Sequence, residues 1–310
     1  MTAHALPRAT LLFLSRRQRL KGAALKLRPL RELARRFVAG ETWEDAVDTA
    51  RALAEQGLRA SVDHLNEAVR SEAEAHEEVV EYKRLLRRID ESGVKAHVSL
   101  KLTQCGLLLS PALALANARE VVAEATARDS FVRVDMEHAA VTQVTLDIVR
   151  ALRAESGETH VGAVLQSALR RTEADARALC AEGVRIRLCK GAYLERSDVA
   201  FPDKADVDAN FVRCMRVLLD SGVRHGIATH DERMIDATRA HAEARGLPKD
   251  AFEFQMLLGI RRDLQLALAL EGHPVRVYVP YGRAWYPYLM RRLAERPANL
   301  RFLWHQLWRG

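Results

Sequence analysis

From residue 57 onward the chain alternates between two textures. Short runs rich in β-branched and aromatic residues read as strands: ASVDHL (60–65), KAHVSLKL (95–102), FVRVDM (131–136), HVGAVLQ (160–166), VRIRLCK (184–190), HGIATH (225–230), AFEFQML (251–257) and PVRVYVP (274–280). Between them, residues 71–91, 112–128, 142–155, 172–182, 205–221, 232–245 and 260–271 place apolar side chains three and four apart, as on an amphipathic helix. Many of these stretches end at a glycine, among them Gly93, Gly157 and Gly183, which accepts the left-handed backbone of a helix stop without a Cβ clash. Ahead of residue 57, the segments 30–37 and 43–56 are helical in pattern, and Glu41-Thr42 is a suitable helix start before Trp43.

Eight strands alternating with helices call for right-handed βαβ units and a parallel sheet, and eight is the number that closes on itself. The expected fold is therefore α/β, a (βα)8 barrel of the TIM type preceded by a helical arm. An open doubly wound sheet is the rival, and it is disfavoured because no GxGxxG, nor any GxG, follows a strand. With no linker or low-complexity segment after residue 57, the expected division is an arm over 1–57 and one catalytic domain over 58–310.

The chain has 310 residues and a formal charge of +7, which suggests an anionic partner until the charge is located. Residues 1–30 hold Arg8, Arg16, Arg17, Arg19, Lys21, Lys26 and Arg28 with no acid, so the rest of the chain sums to zero. Affinity for nucleic acid has no support in the body of the protein. The arm's apolar stretch is too short for a secretory signal, and no run of about 18 apolar residues is present to cross a membrane. A packed surface helix, a lipid-touching basic helix and a mitochondrial transit peptide all remain open for it. Cys105, Cys180, Cys189 and Cys214 form no metal spacing, as scattered thiols of a reducing cytoplasm would not.

In a barrel of this kind the chemistry sits where the strands end, so the polar residues closing each run matter most. Lys101 closes the second, Asp135 to His138 the third, Gln166-Ser167 the fourth, Arg187 to Tyr193 the fifth, Thr229 to Asp231 the sixth, and Tyr278 with Tyr281 the eighth. Inward-facing ions at one end of a barrel need partners or a ligand. Metal-dependent hydrolysis would draw on His64, His97, His138 and His230, but no HxH puts two ligands on one strand face, so no metal is expected. A phosphate-bearing cofactor would suit Lys190-Gly191-Ala192, where a cation adjoins approachable backbone N–H groups, although an ordinary βα turn could read the same. A barrel serving only as a binding scaffold is the non-enzymatic alternative.

Taken in order, SLKL (Lys101), VRVDME (Asp135), VLQS (Gln166), RLCKGAYLE (Arg187, Lys190), IATHD, FQMLLGI, VYVPYG and WYPYLMRRLAERPAN resemble the proline dehydrogenase family over about residues 58–305. The resemblance implies an FAD-dependent barrel that oxidises L-proline to Δ1-pyrroline-5-carboxylate by hydride transfer to the flavin and passes electrons to a quinone. It assigns Lys101, Arg291 and Arg292 to the substrate carboxylate, with Asp135 in the same polar network and Tyr278, Leu257 and Tyr288 walling the ring. On the cofactor side it puts Met136 and Gln166 against the isoalloxazine and Arg187 near its reactive nitrogen. Lys190, Gly191 and Ala192 would follow the ribityl and pyrophosphate, and Thr229 with His230 the ribose and adenine. Asp135 and Arg187 would be the catalytic pair.

Arg-Arg also occurs at 16/17, 35/36, 87/88, 170/171 and 261/262 among solvated helix faces, so the pair at 291/292 is singled out by its aromatic setting. Adjacent helical residues point about 100° apart and can embrace one carboxylate only from a helix lying over it, which places helix 285–296 as a cap on the barrel mouth. LRFLWHQLW, at 300–308, would then fill the outer-ring place left by the cap. No second catalytic domain follows the barrel motifs, so the resemblance implies a monofunctional enzyme handing its product to a separate pyrroline-5-carboxylate dehydrogenase. It would work in the cytoplasm and touch the membrane surface where quinone resides.

Overall fold

The computed structural model describes residues 34–66, 69–157 and 160–295, so the basic arm at 1–30 and the stretch at 300–308 lie outside the described residues. Eight parallel strands close into a barrel in chain order. They are β1 (Arg59–His64), β2 (Ala96–Leu100), β3 (Val132–Val134), β4 (Val161–Gln166), β5 (Arg185–Cys189), β6 (His225–Ala228), β7 (Phe252–Leu257) and β8 (Val275–Tyr281). The β1–β8 ladder, with Ser61 opposite Tyr278, closes the ring.

Around it run α1 (Trp43–Ala54), α2 (Glu72–Glu91), α3 (Pro111–Thr126), α4 (Thr142–Ser156), α5 (Thr172–Ala181), α6 (Lys204–Asp220), α7 (Glu232–Ala244), α8 (Arg262–Leu270) and α9 (Trp285–Glu295). Thr42 starts α1 through a capping box: its side chain accepts from the Asp45 amide while the Asp45 carboxylate takes back the Thr42 amide. Gly93 and Gly183 stop α2 and α5 at φ of 70°, the left-handed conformation expected of them.

Strand side chains alternate between two faces, and the two faces differ sharply here. The outer set, including Val62, Val98, Leu100, Val134, Ile186, Leu188, Ile227 and Val277, is fully buried beneath the helices and forms the main apolar core with Tyr82, Leu85, Phe211 and Leu218. Each such large side chain contributes about 1.5–3 kcal/mol on burial. The inner set is polar. Ser61, Ser99, Arg133, Arg187, Glu253, Gln255 and Arg276 are all buried, joined across the lumen by hydrogen bonds rather than by the branched apolar layers usual in barrels.

A second, smaller apolar cluster carries the cap. Trp285, Tyr286, Tyr288, Leu289 and Met290 of α9 pack with Leu65, Ile260 and the helical turn at 34–37, which supplies Ala34 and Phe37. Trp285 Nε1 donates to Glu41 Oε1 at 3.1 Å, fixing the start of the helix. Because Leu65 and Ile260 follow β1 and β7, α9 lies at the C-terminal mouth, as its paired arginines required.

Candidate active site

The polar residues closing the strands meet at that mouth. Arg187, on β5, is held by acceptors on four other strands or strand ends: Nη1 donates to Asp135 Oδ1 at 2.8 Å, Nε to Gln255 Oε1 at 2.5 Å, and Nη2 to Ser99 Oγ at 3.1 Å and Ser61 Oγ at 3.3 Å. Gln255 keeps its carbonyl toward Arg187 because its amide donates to Glu253 Oε1 at 2.6 Å. Glu253 in turn takes Arg276 Nε at 2.6 Å and Nη2 at 3.1 Å. A continuous chain of bonds therefore runs from the barrel floor to the mouth, and the guanidinium at its top is fixed before any ligand arrives.

Asp135 receives a second donor, Tyr278 Oη, at 2.9 Å, and the Arg187 guanidinium lies 5.3 Å from the centre of the Tyr278 ring. Lys101 completes the group: its ammonium bonds Asp63, approaches Tyr278 Oη at 3.4 Å and stands 3.9 Å from Asp135 Oδ2. Burial lowers the Lys101 pKa, but the carboxylates of Asp63 and Asp135 more than offset it, and the net shift is upward, so the lysine stays charged. Burial raises the Asp63 carboxyl despite Lys101, and burial with Asp135 nearby raises the Tyr278 phenol well above its ordinary value.

A cavity of 440 Å³ opens over this group, walled on its apolar side by Met136, Val164, Met256 and Leu257. Gln166, Lys190, Gly191, Ala192, Thr229 and His230 also line it. Gln166 Nε2 donates to the Glu137 carbonyl at 2.8 Å, and His230 Nε2 accepts the Leu257 amide at 2.9 Å, which leaves its proton on Nδ1. Gly191 has a φ of 103°, and a Cβ there would stand 2.9 Å from Gln166 Oε1, so only glycine keeps this shelf open. Lys190 donates to Asp231 Oδ2 at 2.8 Å and pairs with Asp208 Oδ1 at 2.5 Å. Burial works against ionisation of Asp231, yet the bonds from Lys190 and Arg233 bring its pKa down to about 2.

Of the fifteen residues singled out in the sequence, the cavity wall brings together Lys101, Asp135, Met136, Gln166, Arg187, Lys190, Gly191, Ala192, Thr229, His230, Leu257, Tyr278 and Arg292. Tyr288 lies behind the wall with the Arg292 guanidinium 5.1 Å from its ring centre. Arg291 is placed in α9, but its side chain lies outside the described residues. Sequence reasoning missed Asp63 and Gln255, which hold Lys101 and Arg187. Both were visible in the period-two pattern, Ser61 and Asp63 in β1 and Glu253 and Gln255 in β7.

The four histidines weighed as metal ligands stand apart. His64 bonds Glu78 at 2.9 Å, His138 meets Glu195 at 3.3 Å, and His97 packs on Phe131 at the opposite end of the barrel from His230. Among the described residues no group of three or more His, Cys, Asp or Glu side chains could hold a metal.

A closed barrel whose strand ends converge on one preorganised, charged cavity defines a (βα)8 enzyme with its site at the C-terminal face. The profile of the proline dehydrogenase family matches residues 46–305, and the chain belongs to that family, as an oxidoreductase. It is 45% identical to the proline dehydrogenase of Deinococcus radiodurans over 281 residues, covering 90% of this chain and 91% of the relative. With proline dehydrogenase 2 of Bacillus subtilis it shares 42% identity over 272 residues, covering 88% and 89% of the two chains. Among solved structures, proline utilization A from Bdellovibrio bacteriovorus, inactivated by N-propargylglycine, superposes with a TM-score of 0.80 at 26% identity. That match covers 85% of this chain but 32% of the larger one, so this chain spans about a third of that protein.

Proposed function

We propose that this chain oxidises L-proline to Δ1-pyrroline-5-carboxylate with a bound FAD and delivers the electrons to a quinone. The observation that carries the reading is the fixed Lys101–Asp135–Arg187–Tyr278 network beside a cavity that Lys190 and Gly191 also line. The names of the relatives agree with it, and N-propargylglycine, itself an N-substituted amino acid, inactivates the Bdellovibrio protein.

The residues fit a dinucleotide flavin. Gly191, at a φ that favours glycine and packed against Gln166 and Ala168, would let backbone lie close to the cofactor, and Gln166 and Met136 offer one polar and one apolar surface beside it. When bound, FAD would accept the two electrons released on oxidation of the substrate C–N bond. Arg187, held by its four acceptors, would set a fixed positive charge beside the cofactor's reactive edge without reorganising. Lys190 would share an incoming pyrophosphate with Asp231 and Asp208, or exchange them for it. Lys101 and Arg292, with Arg291 beside it in sequence, would take the substrate carboxylate. Tyr278 and Leu257 would fit the apolar ring between them and exclude water, and the substrate amine must lose its proton before its lone pair can drive the oxidation.

Quinone access is supported by apolar side chains exposed on the rim loops: Leu108 and Leu109 after β2, and Leu194 after β5. No helix among the described residues is long and apolar enough to cross a membrane, so contact with lipid would be at the surface, helped by the basic arm. The product would pass to a separate dehydrogenase. The test is a spectrum: purified protein should be yellow and its flavin bands should bleach when L-proline is added without oxygen. Colourless protein, or flavin that does not bleach, would overturn the proposal.

A further inference from the structure

At the end of the barrel opposite the mouth lies a second cavity, of 520 Å³, between the N-terminal ends of the strands. Arg59, Lys95, Arg128, Arg185 and Arg276 line it against only two carboxylates, Asp90 and Asp129. Two of the arginines in this region have structural employment. Arg276 is bound to Glu253 and to the Ala60 carbonyl at 2.7 Å, and Arg133, just behind the wall, donates to the Ala163 carbonyl at 3.0 Å. These guanidiniums plug the floor and satisfy strand carbonyls, the stabilising role expected at this face.

Arg185 has no such role. It makes no ion pair with any described residue, its Nε is buried without a hydrogen-bond partner, and its guanidinium rests 4.4 Å from the centre of the Phe131 ring. Arg133 lies 4.7 Å from the centre of the same ring. Burial lowers the pKa of both arginines; Arg185 presses that of Arg133 lower still, and Arg276 and Arg59 that of Arg185, against a partial lift from Glu253. Arg224, just ahead of β6, adds to this repulsion and also has a buried Nε and Nη2 without partners. Lys95, exposed at the rim, has no ion pair among the described residues. Glu253, buried nearby, is shared by Arg276 at 2.6 Å and Arg59 at 3.6 Å, and Arg128 pairs with Glu124 at 3.0 Å and Asp90 at 3.9 Å, so among the described residues Arg185 and Lys95 are the lining cations without an ion pair. A part-buried guanidinium crowded by others and without an ion pair of its own is destabilising unless an anion meets it.

We propose that this floor cavity binds a small multivalent phosphoanion, gripped by Arg185, Arg59 and Arg128 and closed over by Lys95. A single carboxylate would meet one of Arg185 and Lys95 and leave the other, whereas a phosphoanion offers several oxygens to guanidinium forks and an ammonium at once. The cavity is separate from the mouth, sharing no lining residue with it. The proposal does not depend on the reaction performed there.

The probe is inorganic pyrophosphate, titrated calorimetrically into the full chain at constant ionic strength, with chloride and sulfate as comparators. Saturable one-to-one binding is expected, stronger than that of either comparator. It should weaken by at least about tenfold in Arg185→Gln and in Lys95→Ala, the loss of one charge-assisted bond, and be unchanged in Lys190→Ala at the mouth. The exposed Lys95 keeps the test independent of folding. Absence of saturable heat, equal binding of sulfate, wild-type affinity in Lys95→Ala, or loss of binding in Lys190→Ala would each overturn the proposal.

Discussion

Replacing Arg276 by methionine tests the polar lumen directly. Arg276 and Glu253 are 5% and 3% exposed, and Glu253 also accepts from Gln255 at 2.6 Å. Burial alone would raise the Glu253 carboxyl, but Arg276 brings it from an ordinary 4.5 down to about 2. At about 1.36 kcal/mol per pH unit, that is on the order of 3 kcal/mol of stability. The sign follows from the depressed value: the contribution is complete above the unfolded pKa and is lost as pH falls from about 4.5 toward about 2. In Arg276→Met the carboxylate keeps Gln255 and the longer contact with Arg59 at 3.6 Å but loses its close ion pair, so burial is opposed far less and the carboxyl is pushed up from its native value. The variant should lose about 3–5 kcal/mol at pH 7, the usual result of stranding one member of a buried pair. Its deficit relative to wild type should shrink as pH is lowered toward 4 and the stranded carboxyl protonates. Urea unfolding at pH 7, 5.5 and 4 reads both effects, and Arg276→Met/Glu253→Gln should recover at least half of the loss at pH 7. A single-variant loss under about 1 kcal/mol, or a double variant as unstable as the single, would refute the account.

Gly191→Ala should lower the ratio of flavin to protein after purification, because the new methyl meets Gln166 Oε1 at 2.9 Å from a backbone at φ of 103°; full flavin occupancy would show that the shelf is not where the cofactor lies. Arg292→Met should raise the KM for proline about 10- to 150-fold with flavin retained, the value of one charge-assisted bond. Arg261→Met is the control, since Arg261 pairs with Glu232 at 2.6 Å and Asp263 at 3.1 Å well away from the cavity wall; equal effects at the two positions in steady-state kinetics would refute the assignment.

The barrel was legible because two periodicities alternate along the chain, and all eight expected strands are present. Their ends were less legible, since ladder geometry rather than hydropathy decides where pairing stops. The run 131–136 pairs as a strand only over Val132–Val134, and Met136 turns out of the ladder to line the cavity. The strand-end ions of the site were visible as residues out of place in a barrel. What holds them shows only in the period-two pattern: taken locally, Asp63 sits in a run that closes on Leu65, and Gln255 is enclosed between Phe254 and Met256, so each reads as an interruption of an apolar strand.

The alternation itself held the missing information. Strands of a parallel barrel, covered on both faces, ordinarily read as continuous apolar runs. VRVD, RIRLC, FEFQ and VRVY instead alternate strictly, although none of these strands faces water. The polar half must then face the lumen, and its members must satisfy one another, as Arg276, Glu253, Gln255, Arg187, Asp135 and Tyr278 do. Such a lumen also fixes register. Sliding one strand by a residue would turn its charges into the apolar layer under the helices and strand their partners, a loss far larger than any repacking could offset. The ionic chain that immobilises Arg187 at the mouth therefore also specifies how the eight strands pair, which links the precision of the site to the folding of the whole barrel.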